Sequence, residues 1–132
     1  MKISSAKKKG RRILLELREA ILRAFPELCF EDIVIMPTSV GGDDLKLSPA
    51  ARRVFPFSVE GKNKENLGIF AAIEQAKSNA NGRPPAVVFR RNHTEAWAAV
   101  PLTILINLLQ RVQGRLTDSQ EQPKDKGKYR DD

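Results

Sequence analysis

Proline punctuates this chain at nearly every change of pattern. Pro26, Pro37, Pro49, Pro56, Pro84, Pro85 and Pro101 each end one stretch of periodicity or open the next, because proline fixes φ and lacks an N–H for a helix or a ladder. The chain must therefore be assembled from short elements. From Lys7 to Phe25 the apolar residues Ile13, Leu14, Leu17, Ile21, Ala24 and Phe25 recur at helical spacing, as one stripe of an amphipathic helix that Pro26 closes. Asp32 to Pro37 reads as a short strand, and SVGGDDLKL as a glycine turn leading into a brief extended piece. Ser48-Pro49 has the form of an N-cap followed by proline at the first helical position, opening a short helical turn through Phe55. After Pro56, PFSVEGK reads as a central strand, and Asn66 is placed to cap a helix containing Leu67, Phe70, Ala71 and Ile73. Asn81 to Pro85 is a turn signal. AVVFRR is a strand with TEAWAAV as its hairpin partner, and Pro101 opens a final helix, LTILINLLQRV. This order predicts one α/β domain, a mixed central β-sheet flanked by helices.

The 132 residues suit one domain. We expect a basic amino-terminal arm over residues 1–12, a folded domain over 13–113, and a polar, aperiodic and disordered tail over 114–132. No apolar run is long enough to span a bilayer, and MKISSAKKKGRR lacks the apolar stretch of a secretory signal, so a soluble cytoplasmic protein with no membrane partner is expected. Cys29, the one cysteine, cannot form an intrachain disulfide and reads as a small core residue. His93, the one histidine, rules out a histidine-rich metal site and reads as a loop residue. The net charge is +7, and six basic residues but no acidic one precede Glu16. Such an arm suits a polyanion, and Lys7, Lys8, Lys9, Arg11 and Arg12 are candidate DNA-backbone contacts.

Chemistry concentrates in the strand FSVEGK. Strand side chains alternate, so Glu60 and Lys62 share one face while Val59 and Gly61 share the other. An unpaired buried charge costs several kcal/mol, so this face must meet solvent, a counter-charge or a metal. Asp43 and Asp44 lie upstream, and one of them beside Glu60 would supply two hard oxygen ligands suited to Mg²⁺ or Mn²⁺. A lysine beside such an ion can orient the attacking water or balance charge on a phosphate. Asp44-Leu45-Lys46 is a second acid-x-lysine triplet, but Ser48-Pro49 cuts it short and leaves no long strand to hold ligands.

The segments Gly41-Gly42-Asp43-Asp44-Leu45 and Phe57-Ser58-Val59-Glu60-Gly61-Lys62-Asn63, with Glu74-Gln75-Ala76 after them, resemble the PD-(D/E)XK nuclease superfamily over roughly Lys9 to Leu109. Within it the chain is similar to small phage-encoded nucleases and Holliday-junction-resolvase-like proteins. The resemblance implies a restriction-endonuclease-like fold and a Mg²⁺-dependent endonuclease acting on four-way DNA junctions as a homodimer, in a bacterial or phage-infected cell. Asp44 matches the acid that opens the metal site, with Asp43 as the alternative. Glu60 matches the second acid, Lys62 the lysine, and the Gly61 carbonyl a further metal ligand. Gln75 matches a supporting glutamine on the following helix. Asp43-Asp44 stands where the superfamily has its Pro-Asp pair, and Gly61 stands where a larger residue is expected.

Several of these enzymes carry another acid on the first helix. Here Glu16, at the edge of the apolar stripe, is the candidate metal ligand, its other reading being a solvated charge. Arg90, Arg91 and Asn92 end their strand as candidate phosphate contacts, the arginines reading equally as plain solvated charges. Trp97 reads as core or dimer interface, and the apolar EAWAAVPLTILINLL segment is nominated for that interface. Two other readings stay open: a nuclease on flaps, ends or single strands, and a non-catalytic nucleic-acid-binding module whose acid–lysine pair is structural.

Overall fold

A computed structural model describes residues 5–37 and 42–119, with side chains at 10–37 and 42–116. The chain divides into two compact units, Met1–Pro101 and Leu102–Asp132.

The first unit opens with helix α1 (Ser5–Ala24). Part of the expected arm is therefore already helical, while the side chains of Lys7, Lys8 and Lys9 lie outside those described. Of the predicted stripe, Ile13, Leu14 and Ile21 are buried at 5% exposure or less, Leu17 and Phe25 are half-buried, and Ala24 is exposed. Each of the buried side chains contributes about 1.5–3 kcal/mol of hydrophobic stabilisation. A 3-10 turn (Phe30–Asp32) leads into strand β1 (Ile33–Ile35), which pairs antiparallel with β2 (Leu45–Leu47). Alternation sends Ile33, Ile35, Leu45 and Leu47 inward and Val34 and Lys46 outward. Cys29, expected in the core, is exposed. It precedes the 3-10 turn, where its backbone N–H is bound by Asp32 Oδ2 at 2.6 Å, and its neighbour Leu28 takes the buried position.

Ser48 caps helix α2 (Pro49–Val54) as the sequence predicts, its hydroxyl accepting from the Ala51 N–H. Strand β3 (Ser58–Asn63) follows, then helix α3 (Ile69–Asn79), strand β4 (Pro85–Arg90) and strand β5 (Trp97–Ala99). The α3 cap is Gly68 rather than Asn66. β3 and β4 are parallel, as the α3 crossover between them allows, and β4 and β5 are antiparallel. The sheet order is β3-β4-β5, so β3 is an end strand and not the central one expected. On its other side the Asp44 N–H donates to the Val59 carbonyl, joining β3 to the segment preceding β2.

Helices cover both faces. Ala72 and Ala76 of α3 form a buried cluster with Val87, joined by Leu67, Ile69, Ile73, Phe89 and Ala99. α1 packs on β3 and β4 from the other side. Register places Val59 and Gly61 beside Ala86 and Val88, and Glu60 and Lys62 beside Val87 and Phe89. The acid–lysine face is therefore the α3 side.

The α1 contact accounts for Gly61. A Cβ built there would lie 2.7 Å from Leu14 Cδ2, 3.0 Å from Leu14 Cγ and 3.3 Å from Ile13 Cγ2. Both partners are buried, so a larger residue overpacks the joint. Gly61→Val is expected to destabilise the fold by about 1–3 kcal/mol, read as a fall in the urea midpoint; unchanged stability would sink this account of the glycine.

The second unit contains helix α4 (Leu102–Ser119). Helix continues through 114–119, where a disordered tail was expected; the remaining tail residues, 120–132, lie outside the described residues. No described helix is long and apolar enough to cross a membrane.

Candidate active site

Asp44 is held from three directions. Gly42, at φ 97°, turns the chain into Asp43-Asp44 through a backbone conformation that glycine adopts without strain. The Asp44 carbonyl accepts from the Met36 N–H at 2.9 Å, and its own N–H donates to Val59 at 2.8 Å. Its carboxylate Oδ2 then accepts from the Gly61 N–H at 2.8 Å. An acid just outside β2 is thereby clamped to the edge of β3, at the residue between Glu60 and Lys62.

Glu60 is 4% exposed. Its Oε2 lies 3.6 Å from Lys62 Nζ, and its Oε1 accepts from the Asn79 amide of α3 at 3.4 Å. Burial raises the Asp44 carboxyl above its ordinary range, against the Gly61 hydrogen bond and the Lys62 charge, with Asp43 adding to the rise. Burial also raises Glu60, and the Asp44 charge raises it further, opposed by Lys62 and Asn79. Two carboxylates thus share one lysine in a poorly hydrated corner, where removing charge from water outweighs the attraction to a single ammonium.

Asp43 has a different role. Its Oδ2 accepts from the Arg83 guanidinium and from Ser58 Oγ at 3.1 Å. Arg83 also donates to the Phe57 carbonyl at 3.3 Å, tying the turn before β4 to the start of β3. Asp43 is engaged as a brace, and Asp44 is the acid presented beside Glu60.

Other candidates fall elsewhere. Glu16 pairs with Arg90, and by alternation Arg90 lies on the α1 side of the sheet with Ala86 and Val88. The structure does not bring Glu16 to the Asp44–Glu60 pair, and the Arg90 charge is already matched. Arg91 is exposed, 3.9 Å from the Glu65 carboxylate. Arg11 and Arg12 are exposed on α1, and Gly41 lies outside the described residues. Gln75 is exposed on α3; the α3 amide that reaches Glu60 belongs to Asn79, one turn later. His93 sits in an exposed loop at φ 59°, and Trp97, 60% exposed, is not a core residue.

Sequence reasoning missed Asn79 and Arg83. Asn79 ends the helix after the acid–lysine strand, and Arg83 lies within the Asn81–Pro85 turn. Only the parallel β3–β4 register carries both toward the start and middle of β3.

No known protein family, curated protein or solved structure matches this chain. Among the described residues, no group of three or more His, Cys, Asp or Glu side chains is placed to hold a metal ion. The donor set is two carboxylates and the backbone. Two carboxylate oxygen donors beside one another are of the kind a hard divalent cation takes while keeping several waters. Burial pushes both carboxyls up, a neighbouring carboxylate adds to each rise, and Lys62 opposes both.

Proposed function

We propose that this chain is a metal-dependent endonuclease of restriction-endonuclease-like fold that hydrolyses phosphodiester bonds in branched DNA, four-way junctions foremost. The observation that carries the reading is the Asp44–Glu60 pair, raised by burial and joined by Lys62 at the edge of one strand. A purely structural salt bridge needs one acid for one lysine; here a second acid is hydrogen-bonded into the same place.

Asp44, Glu60 and the Gly61 carbonyl are the groups that would hold Mg²⁺ or Mn²⁺, and the ion would supply Lewis-acid polarisation of a phosphate oxygen and a more acidic water. The Gly61 N–H fixes one Asp44 oxygen and Asn79 fixes one Glu60 oxygen, so the two acids are oriented before substrate arrives. Lys62, anchored beside Glu60 and partly open to solvent, orients the attacking water or balances charge on the phosphate. Exposed Arg11 and Arg12 on α1 supply backbone contacts whose strength falls as salt rises.

The absence of a three-acid cluster among the described residues, together with the direct Glu60–Lys62 contact, favours a second reading: a non-catalytic nucleic-acid-binding module. Labelled junction, flap, duplex and single strand, each incubated with Mg²⁺ or with EDTA, separate the two. We expect Mg²⁺-dependent cutting, strongest on the junction. Binding without cutting of any substrate would leave the module reading, and preferential cutting of flaps or single strands would reassign the substrate.

A further inference from the structure

Outside the carboxyl ends of the parallel strands β3 and β4 lies a cavity of about 500 Å³ whose wall comes entirely from the first unit. Two loops build it. The loop from β3 to α3 contributes Glu65, Asn66 and Leu67, while Phe89 of β4 and Arg91 after it form the opposite wall. Glu65 ties the loops together, accepting from the Asn92 N–H at 3.2 Å and lying 3.9 Å from Arg91 Nε. Thr94 closes the second loop on itself, its Oγ1 accepting from the Arg91 N–H at 3.2 Å. The walls are therefore set before any ligand arrives.

The cavity adjoins the candidate active site. Phe89 stands beside Lys62 in the β3–β4 register, on the α3 side of the sheet, one strand spacing of about 5 Å away. Sheets with parallel strands hold ligands outside the carboxyl ends of those strands. The volume lies within the range of roughly 300–1,000 Å³ that takes small organic groups. Phe89 and Leu67, both half-buried, offer aromatic and aliphatic surface. Asn66, Glu65 and Arg91, all exposed, add donors and acceptors around it. Such a surface with a mixed polar rim matches a nucleobase, which has a π face and a hydrogen-bonding edge. A phosphate matches it poorly, because the Glu65 carboxylate stands in the wall.

We propose that this cavity receives one unpaired nucleobase of the DNA strand held at Asp44 and Glu60, a proposal that rests on the nuclease reading. A base inside a duplex is stacked on both sides and cannot enter. A base at a branch point, where pairing is interrupted, leaves the stack at the lowest cost. The cavity thereby distinguishes branched DNA from continuous duplex, with Phe89 under the base and the Asn66 amide at its edge.

The test is fluorescence anisotropy of the full chain, in EDTA and at low salt, with three labelled duplexes: one fully paired, one with a single bulged thymidine, and one with the same bulge lacking its base. The base-bearing bulge is expected to bind about tenfold tighter than the other two, the scale of one base stacked on an aromatic ring. Gly68→Leu places a side chain in the wall where an added Cβ meets only Ala71 Cβ, at 3.9 Å. Phe89→Leu keeps apolar packing and removes the ring. Both variants should erase the preference while leaving affinity for the paired duplex unchanged. Circular dichroism checks folding, and where Phe89→Leu loses structure Gly68→Leu decides. Equal binding of the two bulges by the native chain, or a preference that survives in a folded variant, overturns the cavity proposal alone. A chain that binds none of the three duplexes overturns the nuclease reading with it. No cutting enters this test, so a chain that prefers the base-bearing bulge but cuts nothing in Mg²⁺ would keep the cavity and lose the nuclease.

Discussion

Asp44→Asn and Lys62→Ala are each expected to lower junction cleavage in Mg²⁺ by about a thousandfold or more, the scale at which removing one preorganised charge is felt in a water-excluded site. Asparagine keeps the size of Asp44 and can still accept from the Gly61 N–H, so the clamp on β3 survives while the charge is lost. Lys62 is partly exposed, and its removal leaves Glu60 bonded to Asn79. Neither change touches the exposed cations of α1, so gel-shift binding in EDTA should stay within a few-fold of the native chain. The contrast residue is Glu16. Paired with Arg90 on the other side of the sheet, Glu16→Gln should leave single-turnover cleavage within a few-fold. Full cleavage by either site variant would remove Asp44 or Lys62 from the chemistry, and a Glu16→Gln loss equal to theirs would move the site.

Local rules carried much of the fold into view from sequence. Ser48-Pro49 announced α2, the Asn81–Pro85 turn separated α3 from β4, and the stripe from Ile13 to Ile21 marked the buried face of α1. Each depends on residues close in the chain. The alternation of Glu60 and Lys62 likewise placed both on one face, because period two is a local property. What stayed hidden depends on distant segments meeting. Gly61 was puzzling because its reason, the approach of Leu14, lies on another helix. Resemblance alone set Asp44 ahead of Asp43; the physical difference between them lies in distant partners, Arg83 and Ser58 for Asp43 and Gly61 for Asp44. Cys29 was misplaced because residue type predicts average burial, whereas the 3-10 turn turns this one outward. Gln75 and Asn79 are one helical turn apart, and only the angle at which α3 crosses β3 decides which amide arrives.

Glu60→Gln is expected to make the metal-free protein more stable near neutral pH, not less. Both Asp44 and Glu60 hold their protons more tightly folded than unfolded. As pH rises from the ordinary carboxylate range through their raised folded values, the unfolded chain releases protons first, and stability falls across that window. Above it the folded state keeps two buried charges near one lysine. Replacing Glu60 by glutamine removes one of them and can preserve the hydrogen bond with Asn79, so the melting temperature in EDTA should rise by several degrees, on the order of 1 kcal/mol in a domain of this size. The native chain should also melt higher on acidification into that window, and the variant should show less of this gain. Mg²⁺ should reverse the ranking. An ion that binds only the folded native site stabilises it by about 2.7 kcal/mol at a hundred times its dissociation constant, and Glu60→Gln should gain far less. Melting curves at several pH values, with EDTA and with Mg²⁺, read all of this without any cleavage assay. If Glu60→Gln melts lower in EDTA and Mg²⁺ leaves both proteins unchanged, Glu60 is a stabilising partner of Lys62 and the corner is a salt bridge instead of a metal site.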